Sequence, residues 1–160
     1  MTPWARAVRV LAGGGLLAAL AACGGPGPAA DPAADHELLA AGDQPPDPPP
    51  GDGRRRVITD AAALRPLFLA MTGRAAPEVD FARHRVLLLD AGPRPTAGYA
   101  IAVGSLRRTS GALVVEIVLR RPGADCMSAA VMTRPYAFVR IPAGDRPVRL
   151  RERVERVPCE

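Results

Sequence analysis

Apolar positions recur along the chain with two different periods. Leu64, Leu67, Phe68 and Met71 fall at i, i+3, i+4 and i+7, the stripe of an amphipathic helix. Thr59 or Asp60 supplies an N-cap, and Gly73 a stop. Pro66 either kinks this helix or begins it as its first residue. Val57 and Ile58, just ahead, suit a short strand. Beyond Gly73 the period shortens. "RVLLLDAG" (85–92) is an unbroken apolar run, as in a buried strand. "GYAIAVGSLRR" (98–108) and "GALVVEIVLRR" (111–121) follow, joined at Thr109-Ser110-Gly111 as a tight hairpin. In the second of these, Leu113, Val115, Ile117 and Leu119 alternate with Val114, Glu116, Val118 and Arg120, so one face is wholly apolar. "YAFVRIP" (136–142) and "RPVRLRERVERV" (146–157) complete the set. In the last, Val148, Leu150 and Val154 share one face and Arg149, Arg151 and Arg153 the other. That arginine stripe reads as a solvated edge strand kept from aggregating by charge, or as a binding face. The pattern predicts an α+β, mainly β fold. It is an antiparallel sheet, curved or sandwich-like, of about five strands with one N-terminal helix; strands and helices do not alternate, which argues against a doubly wound sheet.

Composition changes the picture upstream. Residues 24–53 hold eight prolines and six glycines, a composition that buries too little apolar surface to offset chain entropy. "QPPDPPP" favours extended polyproline II, and "HELLA" (36–40) suits at most a transient helical turn. The segment predicts a tether. Charge divides at the same place: six acids and no base in 24–53, against nineteen arginines and ten acids in 54–160, a net +9. A basic domain suits nucleic acid, anionic lipid or an acidic partner, and the acidic tether could fold back onto it. The chain has no lysine, so part of the basicity reads as codon bias.

The first residues give the address. Arg6 and Arg9 precede an apolar run, Val10–Ala22, interrupted by Gly13, Gly14 and Gly15. The run is short of the roughly 20 residues a membrane span needs and has the layout of a secretory signal. An ordinary signal peptide and an uncleaved anchor are the alternatives to a further feature: Leu20-Ala21-Ala22-Cys23 resembles the lipobox of bacterial lipoproteins. The resemblance implies lipidation of Cys23 and division of the chain into a signal peptide (1–22), a lipidated tether (23–53) and a β-rich domain (54–160). It implies a cell-envelope location, lipid-anchored. With Gly24 rather than Asp after the cysteine, that means the outer membrane in a diderm bacterium, and otherwise the outer face of the cytoplasmic membrane. More than one acyl chain is enough for stable anchoring. Export excludes nucleic acid as a partner.

With Cys23 assigned to lipid, Cys126 and Cys159 remain. In an oxidising compartment two such cysteines pair, closing a loop of about 34 residues with an entropic contribution of about 3.7 kcal/mol. The alternative makes Cys126 a nucleophile, for which the domain's one histidine, His84, would have to be the base. The two histidines of the chain give no metal cluster, and neither G-x-S-x-G nor H-E-x-x-H is present. Asp90 and Glu116 are single carboxylates on strands. The expectation is a protein with no cofactor, no metal and no enzymatic activity.

The loop "AGPRPTAGYAIAV" (91–103) is the most distinctive stretch. Pro93 and Pro95 fix φ and lessen the entropy lost on docking. Gly98 allows a backbone angle other residues resist, Thr96 can hydrogen-bond locally, and Tyr99 offers a large rigid contact. Equally, Tyr99 could point into the core while the prolines shape a turn. "RVLLLDAGPRPTAGYAI" taken with "RRPGADCMSAAVMTRPYAFVRIP" resembles the C-terminal domain of the PrcB family over about residues 81–160, though Ala97 stands where that family commonly has a second glycine. The resemblance implies a lipoprotein subunit that stabilises a surface protease complex. Pro95-Thr96-Ala97-Gly98-Tyr99 and Arg134-Pro135-Tyr136 also echo chagasin-type inhibitors of cysteine peptidases, without their Trp and second Thr. Either way the expected contact residues are Pro93, Arg94, Pro95, Thr96, Gly98, Tyr99, Arg134, Pro135 and Tyr136. The expected partner is an unknown protein, a protease among the candidates.

Overall fold

The computed structural model describes residues 34–159. The elements run β1 (Glu37–Gly42), β2 (Arg54–Ile58), α1 (Ala61–Thr72), β3 (His84–Asp90), β4 (Ala100–Arg108), β5 (Leu113–Pro122), β6 (Tyr136–Pro142) and β7 (Val148–Val157). They form a four-stranded sheet ordered β1-β6-β3-β2 and a three-stranded sheet ordered β4-β5-β7. The mainly β, sandwich-like expectation holds, with one helix.

Three layers follow from the apolar pattern. β3 is buried on both sides, which is why its sequence does not alternate. Leu87 and Leu89 face the smaller sheet in a core with Val115, Ile117, Val139 and Ile141. Val86 and Leu88 face α1 in a second core with Leu64, Phe68, Met71 and Phe138. The Phe68 and Phe138 rings lie 4.8 Å apart between centroids. α1 starts where Asp60 accepts the Ala63 N–H at 2.8 Å, and ends at Gly73 in the left-handed conformation. Pro66 lies inside the helix, not at its start, on an exposed turn.

The hairpin at 109–111 is closed by Thr109, whose N–H and hydroxyl both donate to the Ala112 carbonyl. β7 departs from the all-antiparallel expectation, because it pairs with β5 in parallel. Between them the chain crosses to the other sheet as β6, and such a return by crossover leaves the strands parallel. Alternation of side chains carries no information on that choice. β7 is an edge strand, with Val148 and Leu150 against the core. Glu152, on the same inner face, reaches Arg55 of β2 at 2.7 Å and links the two sheets.

The folded unit begins well before residue 54. Where a transient helical turn was expected over residues 36–40 of a tether, Glu37–Gly42 form β1 and pair antiparallel with β6. Ala34 donates to the Leu106 carbonyl of β4 at 2.9 Å. Glu37 pairs with Arg140, so this part of the acidic segment lies against the basic domain. Downstream, the proline run packs on α1: the Asp47 N–H donates to the Ala70 carbonyl at 3.0 Å, and Pro48 and Pro49 are half-buried. Prolines already hold this segment extended, so docking it costs little further backbone entropy. The expected signal segment (1–22), Cys23 and residues 24–33 lie outside the described residues.

Candidate functional site

β3 ends at Asp90, and its carboxylate organises the loop that follows. Asp90 is fully buried. One oxygen accepts the Gly92 N–H at 2.9 Å and Arg134 Nε at 3.0 Å, and the other accepts Arg134 Nη2 at 2.8 Å. This two-pronged pair is the geometry in which guanidinium and carboxylate bind best. It clamps the β3–β4 loop to the end of the β5–β6 loop. Two further sets of bonds zip the loops together. Arg94 and Thr133 exchange backbone hydrogen bonds at 2.7 and 2.9 Å, and Ala97 N–H donates to the Ala129 carbonyl at 3.0 Å. The Thr133 hydroxyl donates to the Thr96 carbonyl at 2.9 Å.

Two glycines are required here by geometry. Gly92 has φ +76°, and a Cβ on it would lie 2.1 Å from the Asp52 carbonyl oxygen. Gly98 has φ +89° and sits against Pro122, which bears out the unusual angle expected there.

The nine expected contact residues divide into two groups. Pro93, Pro95 and Gly98 are exposed, while Arg94, Thr96 and Tyr99 are half-buried. The Arg94 guanidinium lies 5.7 Å from the centre of the Tyr99 ring and donates to the Ala91 carbonyl, which holds Tyr99 against the loop, not in the core. Arg134, Pro135 and Tyr136 are buried, so they offer little surface to a partner. Arg134 is drawn inward by Asp90. Tyr136 belongs to the core beneath α1, and burial raises its pKa above the ordinary 10.0, against a smaller lowering by Arg74.

Pattern reading missed the apolar part of this surface. Met127 is 103% exposed and Met132 67%, with Val131 beside them also exposed. All three lie on the β5–β6 loop that is zipped to the prolines. Met132 and Pro93 line one groove with Pro45 and Pro48. The composition "CMSAAVM" could have flagged them, but apolar residues in a loop read equally well as buried. Cys126 and Cys159 form a disulfide with Cα atoms 5.2 Å apart, as expected, so Cys126 is not a free thiol. Beside it, Gly123 N–H donates to the Val157 carbonyl, fixing the β5–β6 loop to the end of β7. His84 is half-buried on β3 and its Nδ1 has no partner. Among the described residues no His, Cys, Asp or Glu group could hold a metal, and no helix is long and apolar enough to cross a membrane.

These elements define a small α+β domain that is closed by a disulfide and displays a doubly fastened loop pair. Residues 86–142 match the PrcB C-terminal family, which bears out that resemblance across β3, both loops and β6. No curated protein and no solved structure matches the chain.

Proposed function

We propose that this protein is a non-catalytic, lipid-anchored module of the cell envelope that binds or stabilises a partner protein, with the β3–β4 and β5–β6 loops as its contact surface. The observation that carries this reading is the apolar exposure of loops that are fastened to each other. Met127, Val131, Met132, Pro93 and Pro95 are exposed together on loops fastened by a buried ion pair and a disulfide. A fastened surface loses little entropy on docking, and methionines adapt to irregular partners. The PrcB C-terminal match supports a protease complex as the assembly it joins. The inhibitor alternative is weaker, because Arg134-Pro135-Tyr136, the second of its two loops, is buried.

Affinity capture of the lipidated protein from crosslinked envelopes tests this. The wild type should recover one dominant partner, and Met127→Glu with Met132→Glu should lose it while remaining folded. Equal recovery by both would count against these loops.

A further inference from the structure

The outer face of the smaller sheet is strongly cationic. Residues opposite one another in register share a face. Arg107 of β4 is opposite Val114 of β5, as is Arg149 of β7, while Arg151 is opposite Glu116, and Arg153 opposite Val118. Arg120 belongs to the same face, opposite Glu155. Arg153 is engaged by Glu116 at 2.8 Å and Arg120 by Glu155 at 3.4 Å. Arg107, Arg149 and Arg151 are exposed and make no ion pair among the described residues. Between them lie Ala100, Ala102 and Ser105, with Val114 half-buried and Val118 buried. Apart from Val157 at the far end of β7, opposite Pro122, no aromatic and no exposed large apolar side chain lies on this face among the described residues, and aromatic residues are what protein-contact cores are enriched in.

The chain outside the described residues bears on what covers this face. Ala34 is fixed to Leu106 on β4, one residue from Arg107 and on the edge of the same sheet. Eleven peptide steps separate Ala34 from Cys23, which at full extension reach at most about 40 Å. We propose that this arginine face docks on anionic lipid headgroups, holding the domain against the bilayer; the proposal rests on the reading of Cys23 as the lipid anchor. Each basic side chain near an anionic surface strengthens binding about fivefold, and salt screens the effect.

The test uses residues 24–160, which contain the whole folded unit but no acyl chain, and sedimentation with vesicles. One set is pure phosphatidylcholine and the other contains phosphatidylglycerol at 30 mol% (about one anionic lipid in three, a composition of the order that gives a negative leaflet). Binding to the anionic vesicles only, weakened by salt, is expected. The triple substitution Arg107→Ser, Arg149→Ser and Arg151→Ser should weaken it about 100-fold, and the triple lysine variant should retain it, because a headgroup layer needs charge and not a guanidinium fork. No binding by the wild type, equal binding to neutral vesicles, or loss in the lysine variant with circular dichroism unchanged would overturn the proposal. Mass spectrometry of the mature N-terminus decides the anchor separately. An unlipidated Cys23 would remove that reading whatever the vesicles show.

Discussion

At Asp90 two charges are taken out of water together, and neither has another ionic partner among the described residues. Removing one leaves the other buried and unpaired, which costs about 3–5 kcal/mol. Asp90→Ala should therefore lower the urea midpoint by that equivalent, and Asp90→Ala with Arg134→Met should recover much of the loss. A single variant within 1 kcal/mol of wild type, a loss of the order of an exposed pair, would show that the pair does not hold the loops. Gly92→Ala combines an unfavourable φ with a Cβ inside the Asp52 carbonyl contact, and should cost more than the roughly 1 kcal/mol of an ordinary glycine replacement at positive φ. Tyr136 gives the pH dependence. Its folded pKa is raised, so the folded state keeps the proton longer than the unfolded chain. The stability this contributes is complete below the unfolded value of about 10 and is lost as pH rises through the folded pKa. Tyr136→Phe should flatten the alkaline arm of a stability–pH profile, and an unchanged arm would contradict the assignment. None of this was legible in the motif Arg134-Pro135-Tyr136, which reads as the end of a loop entering a strand. Its ionic partner is 44 residues away, a separation that local patterning does not span.

Elements with their own periodicity were legible, and those defined by a neighbour were not. The stripe of α1 and the alternation of β5 are printed in the sequence because each buries one face. β1 is "ELLAAG", whose leucines and alanines favour helix in isolation. It becomes a strand because β6 offers it an edge. Deleting residues 24–42 should therefore destabilise the domain and expose the β6 edge to association, read as a lower urea midpoint and concentration-dependent scattering. A tether would be removable without either change. β7 likewise depends on others: on β5 for pairing, on Arg55 through Glu152, and on the disulfide at its end. Reducing Cys126–Cys159 should cost about 3.7 kcal/mol by loop entropy and loosen the β5–β6 loop most, which hydrogen exchange at residues 123–133 would report.

For the molecule as a whole, the division into two sheets arises from long-range pairing that one chain of alternating residues cannot specify. β3 and β6 sit in one sheet while β4, β5 and β7 sit in the other, so each crossover adds a fastened connection at the sandwich ends. One such end presents the loop pair with its methionines. The outer face of the smaller sheet presents arginine. A partner protein on the first and a bilayer on the second would leave both surfaces usable at once. On this reading the loop pair is a protein contact. In-cell photocrosslinking from positions 97 and 132, with Arg149 as the off-surface control position, tests it most directly. One dominant protein adduct, shared by the two loop positions and absent from 149, is expected. Self-adducts alone, or none, in a domain that remains folded would contradict it.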